Sequence, residues 1–349
     1  VHLTSKHRVA ILLHEGIRGI HGKTGLALLR YSEALVVAVI DRQCAGESLR
    51  ELTGIPREVP IVASLEEALA YTPDILAIGI APPGGALPAE WWQEVKQGIA
   101  AGLSIVNGLH TPMASHPEIQ TLLKDGQWIW DVRQEPAGLK IGSGQARSLA
   151  CKRVLAVGTD MAIGKMSTCL ELNKAALQRG LRSKFLATGQ AGLMIAGDGI
   201  PLDAVRVDFA AGAIEQMVML FGEEHEILFV EGQGSLLHPG STATLPLIRG
   251  TQPTHLVLVH RAQQATIRNH PHVPIPPLPE VIQLYETVAA AAGAFAPVPV
   301  LAIALNTAHL DADTAQRAIE QIQAETKRPC TDPVRFGADT LLDAVMSNP

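Results

Sequence analysis

The sequence predicts an α/β protein built of two doubly wound, parallel-sheet domains. Three observations predict it. Short aliphatic runs alternate with stretches of helical period, which is the pattern of repeated β-α-β units. The chain is 47% hydrophobic but only 4% aromatic, so its cores must be built from Ala, Val, Ile and Leu, as in parallel sheets buried on both faces. The alternation stops once, in the Gly-, Pro- and Ser-rich stretch EPAGLKIGSGQARS, and then restarts. The length of 349 residues suits two domains of roughly 150 residues each or somewhat more. The break places them at residues 1–145 and 146–349.

In the first domain, residues 8–13 form an aliphatic strand. Gly16, Gly19 and Gly22 lead from it into a helix over 24–31. ALVVAVI at 34–40 is a second strand ending at Asp41, and 61–62 is a short third one. SLEEALA opens a helix at Ser64, with an N-cap hydroxyl and early acids. A strand at 74–80, a turn at Pro82-Pro83-Gly84-Gly85, an amphipathic helix at 90–101 and a strand at 104–106 complete the pattern. In the second domain, strands are expected at 153–157, 183–187, 226–230, 255–259 and 299–305. Helices are expected at 165–179, 210–221, 280–293, 311–324 and 338–346. AVRV, just before Asp208, reads as a short strand, and HPHVPIPPLP at 270–279 as a rigid Pro-rich loop. Residues 288–305 carry no charged side chain and have the length of a membrane span. Gly293, Pro297 and Pro299 break them into a helix end, a turn and a strand.

Twenty-eight basic side chains against 34 acidic ones give a net charge of −6. That balance excludes nucleic acid as the main partner. It leaves room for a local anion site made of a few backbone N–H groups and one Lys. The four cysteines, Cys44, Cys151, Cys169 and Cys330, form no C-x-x-C pair and read as reduced thiols of a cytoplasmic protein. A small-molecule substrate, a homo-oligomeric assembly and no membrane partner are the matching expectations.

The sharpest motif is RVLAVGTDMAIGKMSTCLELNKAAL, from Arg153 to Leu177. A strand feeds a Gly-bounded loop that ends in Gly164-Lys165 and opens a helix. Backbone N–H groups of such a loop point at phosphate, and Lys165 adds the positive charge. The expected contacts are Gly158, Thr159, Asp160, Ala162, Ile163, Gly164, Lys165, Met166, Ser167 and Thr168. Two features depart from the usual pattern. Five residues rather than four separate Gly158 from Gly164, and Met166 stands where a Ser or Thr would hold Mg²⁺. Phosphate binding is expected; Mg²⁺-dependent hydrolysis is not implied.

A second motif, EILFVEGQGSLLHPG, delivers Glu231 to the carboxyl end of a strand, the edge where open α/β sheets bind ligands. Glu231 could be a general base or a metal ligand. The glycines beside it suggest close backbone approach, and His238 follows as a second candidate base. A third, LATGQAGLMIAGDGI, brings Thr188 and Gln190 to the same edge as substrate contacts. Asp208 reads as a helix cap or a metal or substrate contact. Asn306 could read an adenine edge, and Arg249 and Arg261 could clamp carboxylates.

These residues carry a resemblance. The GTDMAIGK loop and the VEGQGS segment resemble the dethiobiotin-synthetase-like branch of P-loop proteins, where such a loop holds ATP phosphates and such a Glu holds Mg²⁺. A longer resemblance spans nearly the whole chain. GTDMAIGKMST, ATGQAGLMIAGDG, VEGQGSLLHPG and LVHR…IPPLPEVIQLYE resemble a two-domain family long called a domain of unknown function. It joins a Rossmann-like domain to a P-loop NTPase-like one and shares the GKM triplet. The resemblance implies D-glutamate N-acetyltransferase activity, with acetyl-CoA as co-substrate. The phosphate loop would then anchor the phosphates of coenzyme A. Glu231 or His238 would be the base, N–H groups near Gly232–Gly234 the oxyanion donors, and Arg261 and Arg249 the partners of the two substrate carboxylates.

The rival reading is an ATP-dependent ligase or kinase-like enzyme, with Lys165, Ser167 or Thr168, Asp208 and Glu231 around Mg²⁺. A nucleotide-binding regulatory module is a third. In the first domain, G-x-x-G-x-x-G from Gly16 to Gly22 is not the dinucleotide fingerprint, although Asp41 stands about where a ribose-binding acid would. NAD is not expected, and a packing or oligomerisation role is.

Overall fold

The structure is a computed structural model, described here over residues 2–82 and 87–347. Pro83, Gly84 and Gly85 of the expected turn lie outside the described residues. The chain forms two compact units, Val1–Glu135 with Gln190–Ala204, and Pro136–Gly189 with Val205–Pro349.

The first unit holds a parallel six-stranded sheet in the order β3-β2-β1-β4-β5-β6. Its elements are β1 (Arg8–Leu12), α1 (Lys23–Tyr31), β2 (Leu35–Ile40), α2 (Leu49–Thr53), β3 (Ile61–Val62), α3 (Leu65–Leu69), β4 (Ile75–Ile78), α4 (Ala89–Ala100), β5 (Ser104–Asn107), α5 (Pro117–Leu122) and β6 (Ile129–Asp131). The central strands are aliphatic because helices cover both faces, and β4 is buried throughout. Ser64 caps α3 as its sequence suggests, its hydroxyl accepting from Glu67 N.

The glycine loop after β1 closes on itself. A Cβ on Gly22 would lie 2.1 Å from the Gly16 carbonyl oxygen. The buried Asp41 carboxylate accepts the backbone N–H groups of Glu15 and Gln43 on Oδ1 and of Ile17 on Oδ2. Asp41 thus fastens the loop of its own unit.

The second unit holds another parallel six-stranded sheet, ordered β14-β13-β10-β7-β9-β8. It starts with β7 (Lys152–Gly158), α6 (Lys165–Gln178) and β8 (Ser183–Leu186). The chain then crosses to the first unit as α7 (Gln190–Ala196), which buries Leu193, Met194 and Ile195 and lies on α1. It returns for α8 (Val207–Gly222), β9 (Ile227–Val230), α9 (Thr244–Thr251), β10 (His255–Arg261), β11 (Thr266–Ile267), β12 (His270–Pro274), α10 (Leu278–Ala289), β13 (Val300–Asn306), α11 (Ala312–Thr326), β14 (Cys330–Thr331) and α12 (Asp339–Met346).

Three expectations differ from what is found. The division is not a single break at residue 145. The Gly-rich stretch belongs to the second unit, where Glu215 accepts N–H groups from Ser143 and Gln145, and residues 190–204 belong to the first. AVRV is not a strand, because Leu202–Ala204 form a 3-10 turn and Val207 already starts α8. Part of the Pro-rich loop is β12, paired antiparallel with β11. Two prolines fit there because a two-stranded ribbon leaves one edge unpaired. The apolar stretch 288–305 breaks as expected into the end of α10, a 3-10 turn and β13. Among the described residues no helix is long and apolar enough to cross a membrane.

Candidate functional site

The phosphate loop leaves the carboxyl end of β7, whose last six residues are buried. It enters α6 through Gly164, at φ +117°, a backbone state in which a side chain would be strained. Several tethers hold the loop. The Tyr285 hydroxyl on α10 donates to the Gly158 carbonyl at 2.7 Å and accepts Leu236 N at 3.1 Å. Thr159 Oγ1 meets His260 Nδ1 at 2.9 Å. Asp160 Oδ2 accepts Gln264 Nε2 at 2.6 Å and Arg268 N at 2.7 Å. Asn306 Nδ2 donates to the Ile163 carbonyl at 2.9 Å, and its Oδ1 accepts Ala308 N.

Lys165 is buried and its Nζ donates to the Asp160 carbonyl at 2.7 Å. Burial lowers its pKa to about 8, opposed by the charges of Asp160 and Glu231. Its stem runs past Gly232, where a Cβ would come within 2.8 Å of Lys165 Cδ and 1.7 Å of the Ala156 carbonyl oxygen. The close approach read from the glycines beside Glu231 is therefore made, at this position, by the protein's own lysine and strand.

Glu231 closes the other side. Its Oε2 accepts Thr188 N at 2.9 Å and Gly189 N at 3.2 Å, Oε1 accepts Gln233 Nε2 at 3.2 Å, and its backbone carbonyl accepts the Thr188 hydroxyl. Thr188, Glu231 and Lys165 are thus brought to the same sheet edge as the loop.

Two family models match the chain. Residues 140–342 match "Domain of unknown function (DUF1611_C) P-loop domain", and residues 42–135 match the corresponding "(DUF1611_N) Rossmann-like domain". The chain belongs to the DUF1611 family. Its D-glutamate N-acetyltransferase relative from Tritonibacter scottomollicae is 36% identical over 284 residues, 81% of this chain and 84% of that protein. A protein of the same name from Pseudoalteromonas sp is 34% identical over 80% of this chain and 83% of its own. The crystal structure of a DUF1611 family protein from Anabaena variabilis is 69% identical, covers 98% of this chain and 100% of that one, and gives a TM-score of 0.96. The Rossmann-like then P-loop order that the resemblance implies is the order of the DUF1611 models.

Other expected residues of this DUF1611 chain fall differently. Gln190 belongs to the first unit, where its Nε2 donates to Thr24 Oγ1 at 3.5 Å. Arg249 is exposed in the last turn of α9. That helix starts beside Gln233, whose carbonyl accepts the Thr244 hydroxyl. It ends by Gln252, whose carbonyl accepts Arg153 Nε at the opposite end of β7. Arg249 is therefore at the amino edge of the sheet, away from the loop. Arg261 ends β10, in register with Asn306, at the correct edge. Asp208 is exposed in the first turn of α8, where its charge suits the helix dipole.

His238 is buried, its ring 5.0 Å from that of His270, and its Nδ1 accepts Gly240 N at 3.0 Å. The neutral ring then carries its proton on Nε2, which makes it a donor rather than a base. Asn306 uses one amide hydrogen to hold the loop at Ile163, while its Oδ1 accepts Ala308 N outside the loop.

A Mg²⁺ donor set does not fit these residues. Met166 offers only a thioether, Ser167 is half-buried on α6, and the Thr168 hydroxyl donates to the Gly164 carbonyl at 3.0 Å. Glu231 takes two backbone N–H groups on one oxygen. Among the described residues no group of three or more His, Cys, Asp or Glu could hold a metal ion.

Sequence reasoning missed Tyr285, His260, Gln264 and the Arg268 backbone as parts of this site. Tyr285 lies in LPEVIQLYE on the buried stripe of α10, and a lone tyrosine on an apolar helix face was the available signal.

Proposed function

We propose that the protein transfers an acetyl group from acetyl-CoA to the amine of an acidic amino acid such as D-glutamate. The observation that carries this reading is the kinship with two curated D-glutamate N-acetyltransferases over about four-fifths of the chain. The loop chemistry supports it. A phosphate cradle with a lysine but without a hydroxyl set for Mg²⁺ suits anchoring a phosphate ligand better than cleaving it.

In this reading the loop N–H groups and Lys165 hold the phosphates of coenzyme A. The neutral amine attacks the thioester carbonyl carbon, the C–S bond breaks, and the thiolate leaves and takes a proton. Glu231, held by Thr188 N, Gly189 N and Gln233, accepts the proton that the amine loses. The N–H groups of Gly232 to Gly234 would face the developing oxyanion. Arg261 would pair with a substrate carboxylate.

Thiol release from acetyl-CoA, followed with a colorimetric disulfide reagent, tests the reading. Release should require D-glutamate, and Glu231→Gln should lower kcat by about a hundredfold or more. No release with any acidic amino acid, together with Mg²⁺-dependent ATP turnover, would favour the ligase or kinase-like alternative.

A further inference from the structure

The phosphate loop follows β7, which lies between β9 and β10 in the sheet. Glu231, at the end of β9, marks one side as the reacting side. A ligand with its phosphates on the loop and its reactive end toward Glu231 has its far end directed over β10.

There the structure has a cavity of about 350 Å³, within the size range of small-molecule sites. Its lining combines apolar Ile275, Leu278 and Ile322 with polar His260, Gln264 and Glu325. Two of these residues touch the phosphate loop directly, His260 through Thr159 and Gln264 through Asp160.

We propose that this cavity holds the base of the phosphate-anchored ligand and is built for an aminopurine, the adenine that acetyl-CoA and ATP share. The proposal rests on the reading that the loop binds phosphates, not on which of the two donors is used.

The polar lining residues offer acceptors. Gln264 donates its amide hydrogens to Asp160 Oδ2 and to the Thr266 carbonyl at 3.0 Å, so what it has left to offer a ligand is the acceptor Oε1. Glu325 is a carboxylate, fixed by Leu278 N at 3.2 Å. Among the described residues lining the cavity there is no Lys or Arg. An anionic group, whether phosphate or the acidic acceptor, would meet Glu325 unpaired. A flat, neutral heterocycle with an exocyclic amine matches a lining that offers acceptors and aliphatic carbon and no cation. His260 is held neutral by burial and presents no charge to such a ring. Asn306, the other candidate reader, lies at the phosphate loop, with one amide hydrogen on the Ile163 carbonyl and Oδ1 accepting Ala308 N.

Calorimetric titration of the full chain with inorganic pyrophosphate, ADP and IDP tests this. ADP should bind about tenfold more tightly than either of the others, because the inosine carbonyl sets lone pairs against the acceptors of the lining. Ile322→Trp, which fills the cavity, should abolish the advantage of ADP over pyrophosphate and leave pyrophosphate affinity unchanged. Glu325→Gln should narrow the ADP-to-IDP ratio, and this milder variant decides alone if Ile322→Trp does not fold.

An ADP advantage that survives both variants, or a loss that affects pyrophosphate equally, overturns the proposal. Failure of pyrophosphate to bind the wild-type chain overturns the phosphate-loop reading and this inference with it. Absence of acetyl transfer alongside the expected titrations overturns the transferase reading alone and leaves the base site supported.

Discussion

Lys165 is a cation held in a place that does not favour cations. Dehydration lowers its pKa to about 8 from the ordinary 10.5. Between those values the folded chain has released the proton while the unfolded chain keeps it, so stability should rise with pH across that window. Ligand affinity runs the other way. Above pH 8 the charge that meets phosphate is lost, and affinity should fall by about tenfold per pH unit. Titration of the chain with coenzyme A from pH 7 to 9.5 would show this slope, and Lys165→Met should flatten it.

His260 makes the complementary case. Burial lowers it from 6.5 to about 4, so it folds neutral. Its contribution is complete above pH 6.5 and is lost as pH falls toward 4, by about 3 kcal/mol. Denaturant titrations at pH 7 and pH 4.5 should show the loss, reduced in His260→Gln.

At the scale of elements, α10 fastens two loops of the site with one hydroxyl. Tyr285→Phe would leave the Leu236 N–H and the Gly158 carbonyl without this partner, at a cost of about 1–3 kcal/mol. Chemical denaturation measures that cost, and a weaker apparent affinity for coenzyme A should accompany it. The strands were the legible elements. Strands buried on both faces read as apolar runs, as β4, β9 and the first six residues of β13 do. The phosphate loop was legible too, because strand, glycine spacing, lysine and helix are contiguous. Its tethers were not. Tyr285 meets Gly158 across 127 positions and Gln264 meets Asp160 across 104, so only the sheet order brings them together. Arg249 was misjudged for a related reason. Residue type names a carboxylate clamp, but the direction of α9 decides which edge of the sheet it reaches. The short β6, β14 and α9 carry too few periodic positions to stand out from their surroundings.

At the scale of the molecule, the two units cannot be separated by one cut. The chain passes between them after Glu135, after Gly189 and after Ala204. A fragment of residues 1–135 lacks the helix that lies on α1. A fragment of residues 136–349 carries that helix with Leu193, Met194 and Ile195 deprived of the unit that buries them. The shorter fragment should lose its cooperative thermal transition. The longer one should bind more hydrophobic dye than the intact chain and self-associate in size-exclusion chromatography.

The excursion at 190–204 also sets a timetable. On a ribosome the chain appears in order, and a domain folds once its last part has emerged. The first unit waits for residues 190–204, the last of which follows Glu135 by roughly 70 residues, and at about 5–20 residues per second that is a delay of several seconds. During that interval the sheet of the first unit is complete in sequence, but α1 lacks the helix that lies on it. Chaperones that bind nascent apolar surface would have their best opportunity then, and a slow codon run placed just before residue 190 should lengthen it.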